Sequence, residues 1–166
     1  LGVKIELKVL DSIAEILGSM EKGEGDMAAA GLTRTEEREK KFLFGPSYYT
    51  VQQELVCRRN SKIPRTIEDL PNFRVLIISG SSYVERLKEL KVRFPSIQWK
   101  TTDDLSTEQI LEKVLKRKLD CTVADRNIVA INRRYYPQLI VPFPISGEQP
   151  LAWILRSGAE DLKTEI

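Results

Sequence analysis

Ala28-Ala29-Ala30-Gly31-Leu32-Thr33-Arg34-Thr35-Glu36-Glu37-Arg38-Glu39-Lys40-Lys41-Phe42-Leu43-Phe44-Gly45-Pro46-Ser47-Tyr48-Tyr49 is the stretch around which the rest of the chain reads. A short apolar run ends at Gly31. The polar turn Thr33-Arg34-Thr35 follows and opens a brief, highly charged helical segment. That segment runs into Phe42-Leu43-Phe44, then Gly45-Pro46, then paired tyrosines. The pattern describes a strand whose end delivers a hydroxyl, backbone N–H groups and the Arg38 guanidinium to one point. A guanidinium beside a helix N-terminus suits a carboxylate. The plainer alternative is that Arg38 is a solvated helix residue, one of 26 lysines and arginines.

Composition narrows the classes. The 166 residues are 42% hydrophobic and 30% charged with net charge +2, which fits one large domain or two small lobes. There is no polybasic run with interleaved aromatics, so no nucleic-acid partner is expected. No apolar stretch is long enough to span a bilayer. With no histidine, His-based metal sites and Ser-His-Asp or Cys-His catalysis are excluded. No paired-carboxylate constellation stands out either, and no catalytic residue, metal or cofactor is expected. Cys57 and Cys121 each sit in an apolar run and read as buried strand thiols. A disulfide would require an oxidising compartment and strands that meet. The chain opens without Met or a signal peptide, as if cut from a longer protein.

Taken in order, Val3–Leu10 alternates apolar and charged residues and predicts a half-buried strand. Ser12-x-x-Glu15 caps a helix whose Ile13, Ile16, Leu17 and Met20 share a face, and glycines after Lys22 end it. Asp26–Ala30 predicts a short buried strand. Strand, helix and strand make one βαβ unit, so these strands should be parallel. Thr33 and Thr35 compete to cap the charged segment. Ser47–Cys57 predicts a longer strand. Arg58–Arg65, polar and proline-bearing, marks a crossing between lobes. Thr66–Leu70 is a capped turn, Phe73–Ile78 a buried strand, and Val84–Phe94 lies in a helix ended by Pro95. Gln98–Lys100 predicts a strand and Leu105–Leu119 a helix capped at Ser106. Asp120–Ala124 follows as a strand, Arg126–Tyr135 as a helix and Leu139–Phe143 as a strand. Ser146–Pro150 crosses back to the strand Leu151–Leu155.

These elements predict an α/β chain of two lobes, 1–57 with 151–166 and 66–145, crossing at 58–65 and 146–150. Ligands of such sheets bind beyond the carboxyl ends of strands. Three polar clusters fall there: Thr33, Thr35 and Arg38; the turn Gly80-Ser81-Ser82; and Asp125. Ser81 or Ser82 and Asp125 could each be a simple helix cap. Together the clusters offer donors to a carboxylate and an aspartate to an ammonium, the complement of an amino acid or a peptide terminus.

The stretches Gly31–Arg38 and Gly45-Pro46-Ser47-Tyr48-Tyr49 with Gln52-Gln53-Glu54-Leu55-Val56 resemble family 3 periplasmic solute-binding domains. So do Ser79–Glu85, Leu119–Asp125 and Glu148-Gln149-Pro150-Leu151-Ala152-Trp153, which are closer to the domains found in lytic murein transglycosylases. The resemblance spans nearly the whole chain. It implies a type II periplasmic-binding fold, truncated at the N-terminus of lobe 1, closing on a ligand. It matches Arg38, helped by Thr33, to the grip on an α-carboxylate. Ser81 and Ser82 match the second-lobe donors, and Asp125 the acceptor for an α-ammonium. Gly31 stands where amino-acid binders often carry a serine, which points away from an ordinary amino acid, and the likeness to transglycosylase domains implies a cell-wall peptide or muropeptide as ligand. It also implies a Gram-negative periplasmic setting, a parent at the outer membrane and a partner lytic domain carrying the catalytic glutamate, so that this chain itself would not cleave glycan. The rivals are a free-standing binding protein serving a transporter, and a small dehydratase on the same fold, which would need a proton-transfer pair.

Overall fold

The computed structural model describes residues 4–165. It divides into two compact units: residues up to Thr50 together with those from Pro150 on, and Val51–Gln149. Two long strands, Leu43–Arg58 (β2) and Pro144–Leu155 (β7), each contribute residues to both. The polar run Arg58–Arg65 therefore lies within the second unit. The segment Ser146–Pro150, read as a separate crossing, is part of continuous strand.

In the first unit, helix α1 (Ile13–Glu21) starts where the Ser12 hydroxyl accepts the Glu15 N–H at 3.1 Å. Its apolar face, Ile13, Ile16, Leu17 and Met20, packs with Ala28, Leu32, Phe42, Phe44, Ala152 and Ile154. Strand β1 (Met27–Thr33) pairs antiparallel with β7, from Met27 opposite Leu155 to Thr33 opposite Leu151. The predicted parallel βαβ unit is thus not formed. Residues 4–10 have no regular structure, and Ile5, Leu7 and Val9 are 75%, 91% and 90% exposed. Alternation makes a strand only where a neighbour takes up its N–H and C=O groups, and among the described residues none pairs with this segment. Val3 lies outside the described residues.

The second unit is built around the far half of β2. It pairs antiparallel with β5 (Cys121–Asp125), running from Gln53 opposite Asp125 to Cys57 opposite Cys121, and with β6 (Leu139–Ile140). Strands β3 (Leu76–Ile78) and β4 (Lys100–Thr102) pair parallel, and Val75 bridges Cys121 in parallel. One face of β2 and β5, Leu55, Cys57, Cys121 and Val123, packs with Tyr83 and Leu87 of helix α3 (Ser82–Arg93). The other face, Val56 and Ala124, packs with Leu111 and Val114 of α4 (Thr107–Leu115) and Val129 of α5 (Arg126–Tyr135). Fully burying one such leucine or isoleucine contributes about 2 kcal/mol. A strand covered on both faces reads as an almost continuous apolar run, as Leu55-Val56-Cys57 does. The caps at Ser106 and Thr66 and the α5 boundaries agree with the sequence reading.

Cys57 and Cys121 are joined in a disulfide. The expectation of two thiols is corrected by register: the residues face each other across β2 and β5 with Cα atoms 4.3 Å apart, and both are fully buried. The bond closes a loop of sequence separation 64, worth about 4 kcal/mol on chain-entropy grounds. Thiol titration of the unreduced, denatured protein is therefore expected to find no free thiol. The Cys57→Ala/Cys121→Ala variant should unfold at a clearly lower temperature. Two titratable thiols per unreduced chain would contradict the bridge.

Candidate functional site

The first unit places Thr33 and Arg38 together. β1 ends at Thr33, and the single-turn helix α2 (Glu36–Glu39) begins at Thr35, whose hydroxyl accepts the Arg38 N–H at 3.3 Å. Thr35, not Thr33, is thus the cap. Folding back over that turn, the Arg38 guanidinium donates from Nη1 to the Thr33 carbonyl at 3.1 Å. Thr33 is 3% exposed and Arg38 is 4% exposed, so Arg38 is not a solvated helix arginine. Arg34, just before α2, is the exposed arginine of the turn: it pairs with Glu39 at the surface and lies 5.9 Å over the Phe44 ring. Gly31 adopts φ +63, the left-handed region where a serine would be strained. Tyr48, whose hydroxyl lies 3.9 Å from the position a Gly31 Cβ would take, is tilted against Trp153.

The second unit gathers Ser81, Ser82 and Asp125. Ser81 occupies the N-cap position of α3, yet its hydroxyl donates backward to the Ile78 carbonyl at 2.7 Å and makes no side-chain cap bond. Ser82, also buried, accepts from Nε2 of Gln53 at 3.0 Å. Asp125 stands at the junction of β5 and α5. Its main-chain N–H donates to the Tyr83 hydroxyl at 3.2 Å. Its carboxylate makes no cap bond to α5, and Oδ1 is buried without a hydrogen-bond partner. The simple-cap reading therefore does not account for Asp125.

The electrostatics follow from this enclosure. Burial pushes the Asp125 carboxyl up to about 6, opposed by a hydrogen bond from Tyr83. Burial, and then the charge of Asp125, raises the Tyr83 phenol well above its ordinary value. The adjacent cation, Arg126, is held by Glu54 at 3.2 Å and Glu148 at 3.5 Å. What remains in this corner is an acceptor suited to an N–H donor.

Gln53 and Tyr83 complete the arrangement, although sequence reading gave neither a role. The available signal was alternation: Gln53 falls in phase with Leu55 and Cys57, so an apolar position of a buried strand carries an amide. Among the described residues no group of three or more His, Cys, Asp and Glu could hold a metal ion. No helix among them is long and apolar enough to cross a membrane.

The whole chain, residues 1–166, matches the family model described as bacterial extracellular solute-binding proteins, family 3. It is 42% identical over 153 residues to the membrane-bound lytic murein transglycosylase F of Saccharophagus degradans, covering 92% of this chain and 30% of that protein. It is 39% identical over 153 residues to the protein of that name from Maricaulis maris, covering 92% of this chain and 34% of that one. The chain thus spans about a third of the length of these curated relatives. An ancestral arginine-binding protein solved with arginine superposes with a TM-score of 0.81 at 24% identity, covering 99% of this chain and 72% of the other. That likeness shows the fold, the α/β type II solute-binding architecture. With family match, close relatives and fold in agreement, the chain belongs to the bacterial extracellular solute-binding proteins of family 3.

Proposed function

We propose that this chain is the ligand-recognition domain of a peptidoglycan lytic transglycosylase, and that its ligand is a cell-wall peptide or muropeptide. The observation that carries the reading is Asp125, a half-buried carboxylate whose Oδ1 is enclosed with no partner within the protein. A buried charge left in this state costs stability, and a ligand ammonium offsets that cost. Within the first unit, Arg38, buried beside Thr33, offers a cation suited to a carboxylate. Stem peptides of the cell wall carry both groups. Gly31 supports a peptide over a free amino acid, because its backbone disfavours the serine whose hydroxyl would serve that smaller ligand. In the second unit, Ser81 and Ser82 add hydroxyls at the start of α3.

The transglycosylase relatives supply the setting. The parent would work in the periplasm of a Gram-negative bacterium, associated with the outer membrane. Its lytic domain, the partner of this one, would carry the catalytic glutamate and cleave glycan, while this domain reports or selects peptide-bearing strands.

A residue retained for binding at a cost to stability behaves oppositely in two assays. The carboxyl of Asp125 is held at about 6, above the ordinary Asp value of about 4. Its favourable contribution is therefore complete below about pH 4 and lost as pH rises through about 6. At pH 7 the Asp125→Asn variant is expected to be more stable than the parent sequence, by on the order of 2 kcal/mol in denaturant unfolding, with the gain vanishing toward pH 4. Its affinity for a muropeptide should nevertheless fall on the order of a hundredfold in calorimetry. Lower stability at pH 7 with unchanged affinity would contradict the assignment. Arg38→Ala is expected to abolish muropeptide binding while far-UV dichroism is preserved, with Arg38→Lys intermediate. Undiminished binding by a folded Arg38→Ala protein would remove Arg38 from the site.

A further inference from the structure

The amide of Gln53 is a second buried polar group that the binding reading does not use. The residue is 1% exposed and is anchored at two points, once through its side chain and once through its main chain. Nε2 donates to the Ser82 hydroxyl at 3.0 Å, and the main-chain N–H donates to the Ser146 hydroxyl, also at 3.0 Å. Its carbonyl oxygen, Oε1, is buried and accepts nothing. Residue 53 pairs with Asp125 across β2 and β5, and directly opposed residues of an antiparallel pair project from the same face. Asp125 Oδ1 is likewise buried and unpartnered. A leucine at position 53 would continue the apolar face of Leu55 and Cys57 without orphaning an oxygen. Two neighbouring acceptors without donors form a polar corner that a ligand can complete.

We propose that Gln53 Oε1 and Asp125 Oδ1 form one acceptor pair for a protonated primary amine, with Gln53 selecting an ammonium that can donate twice. The inference rests on the proposed role of Asp125 and adds a residue and a ligand class to it. A primary ammonium presents three N–H donors in a tetrahedral fan, enough to serve both oxygens. A quaternary ammonium of the same charge presents none, and an acetylated amine has lost its charge. The carboxylate alone distinguishes charge. The amide carbonyl beside it adds the requirement for a second N–H and orients the amine.

The test uses two probes on the protein and on Gln53→Leu and Gln53→Glu variants whose folding is verified by thermal melting. Methylammonium and tetramethylammonium are titrated while the side-chain resonances of Gln53 and Asp125 are followed by NMR. The stem tripeptide L-Ala-γ-D-Glu-meso-diaminopimelate, with free or acetylated amines, is titrated by calorimetry. Methylammonium is expected to shift both resonances and tetramethylammonium neither. Gln53→Leu should weaken the response to methylammonium and the affinity for free-amine tripeptide about tenfold or more. Gln53→Glu keeps an acceptor at the same position, so its affinity for the amine should equal or exceed that of the parent sequence. Equal responses to the two ammonium ions, no response to methylammonium, unchanged binding by Gln53→Leu, or weaker binding by Gln53→Glu would each overturn the proposal. A methylammonium response without tripeptide binding would uphold the acceptor pair and count against the cell-wall ligand. Tripeptide binding indifferent to Gln53 would do the reverse.

Discussion

The register of β2 against β5 is the constraint on which most of the second unit depends. One alignment, Gln53 with Asp125 through Cys57 with Cys121, decides several things together. It sets the cysteines close enough to bond and places Gln53 beside Asp125. It also assigns Leu55 and Val123 to the face under α3, and Val56 and Ala124 to the face under α4 and α5. A slip by one residue would exchange the faces of every side chain on the strand and place the amide among the helices. Helices packed on both sides, with a covalent bridge at one end of the ladder, leave little room for such a slip. The polar pair at the other end is thereby held on a rigid element, which is where a binding site gains orientation without loop ordering.

The polar groups are arranged against local stability. Gln53 and Arg38 are removed from water, and half-buried Asp125 has its Oδ1 enclosed. Asp125 and Gln53 each retain an acceptor unsatisfied by the protein. Residues that serve only packing are not distributed this way: Leu55, Leu87, Val114 and Val123 are apolar and almost wholly enclosed. Local costs of this kind cluster where a protein meets its ligand. Membership of a solute-binding family is consistent with such costs being retained for a ligand.

Much of this was legible in the residues because the signals were local. Ser12, Thr35 and Ser106 announce helices through their own side chains, and Arg126–Tyr135 is bounded as the pattern predicts. Arg38 and Asp125 stand out in the sequence by their positions at element ends. What was not legible depends on partners. Alternation in residues 4–10 gives a period but cannot show whether a neighbouring strand exists. The order strand, helix, strand implies parallel pairing only if both strands join one sheet side by side, and β1 pairs with β7 from the far end of the chain instead. The cysteines lie 64 positions apart, so their meeting follows from a register that neither apolar run reveals. The division between units falls inside two uninterrupted strands, β2 and β7, a continuity that polarity and prolines do not reveal. Gln53 was hidden for the opposite reason: a single amide in an apolar phase reads as noise until the residue facing it is known.

The account turns on Asp125 being a binding group rather than an accident of packing. A crystal structure of the protein with a diaminopimelate-containing stem peptide tests this most directly. The account predicts a ligand nitrogen within hydrogen-bond distance of Asp125 Oδ1. A peptide bound elsewhere, with Oδ1 still unengaged by it, would contradict the account.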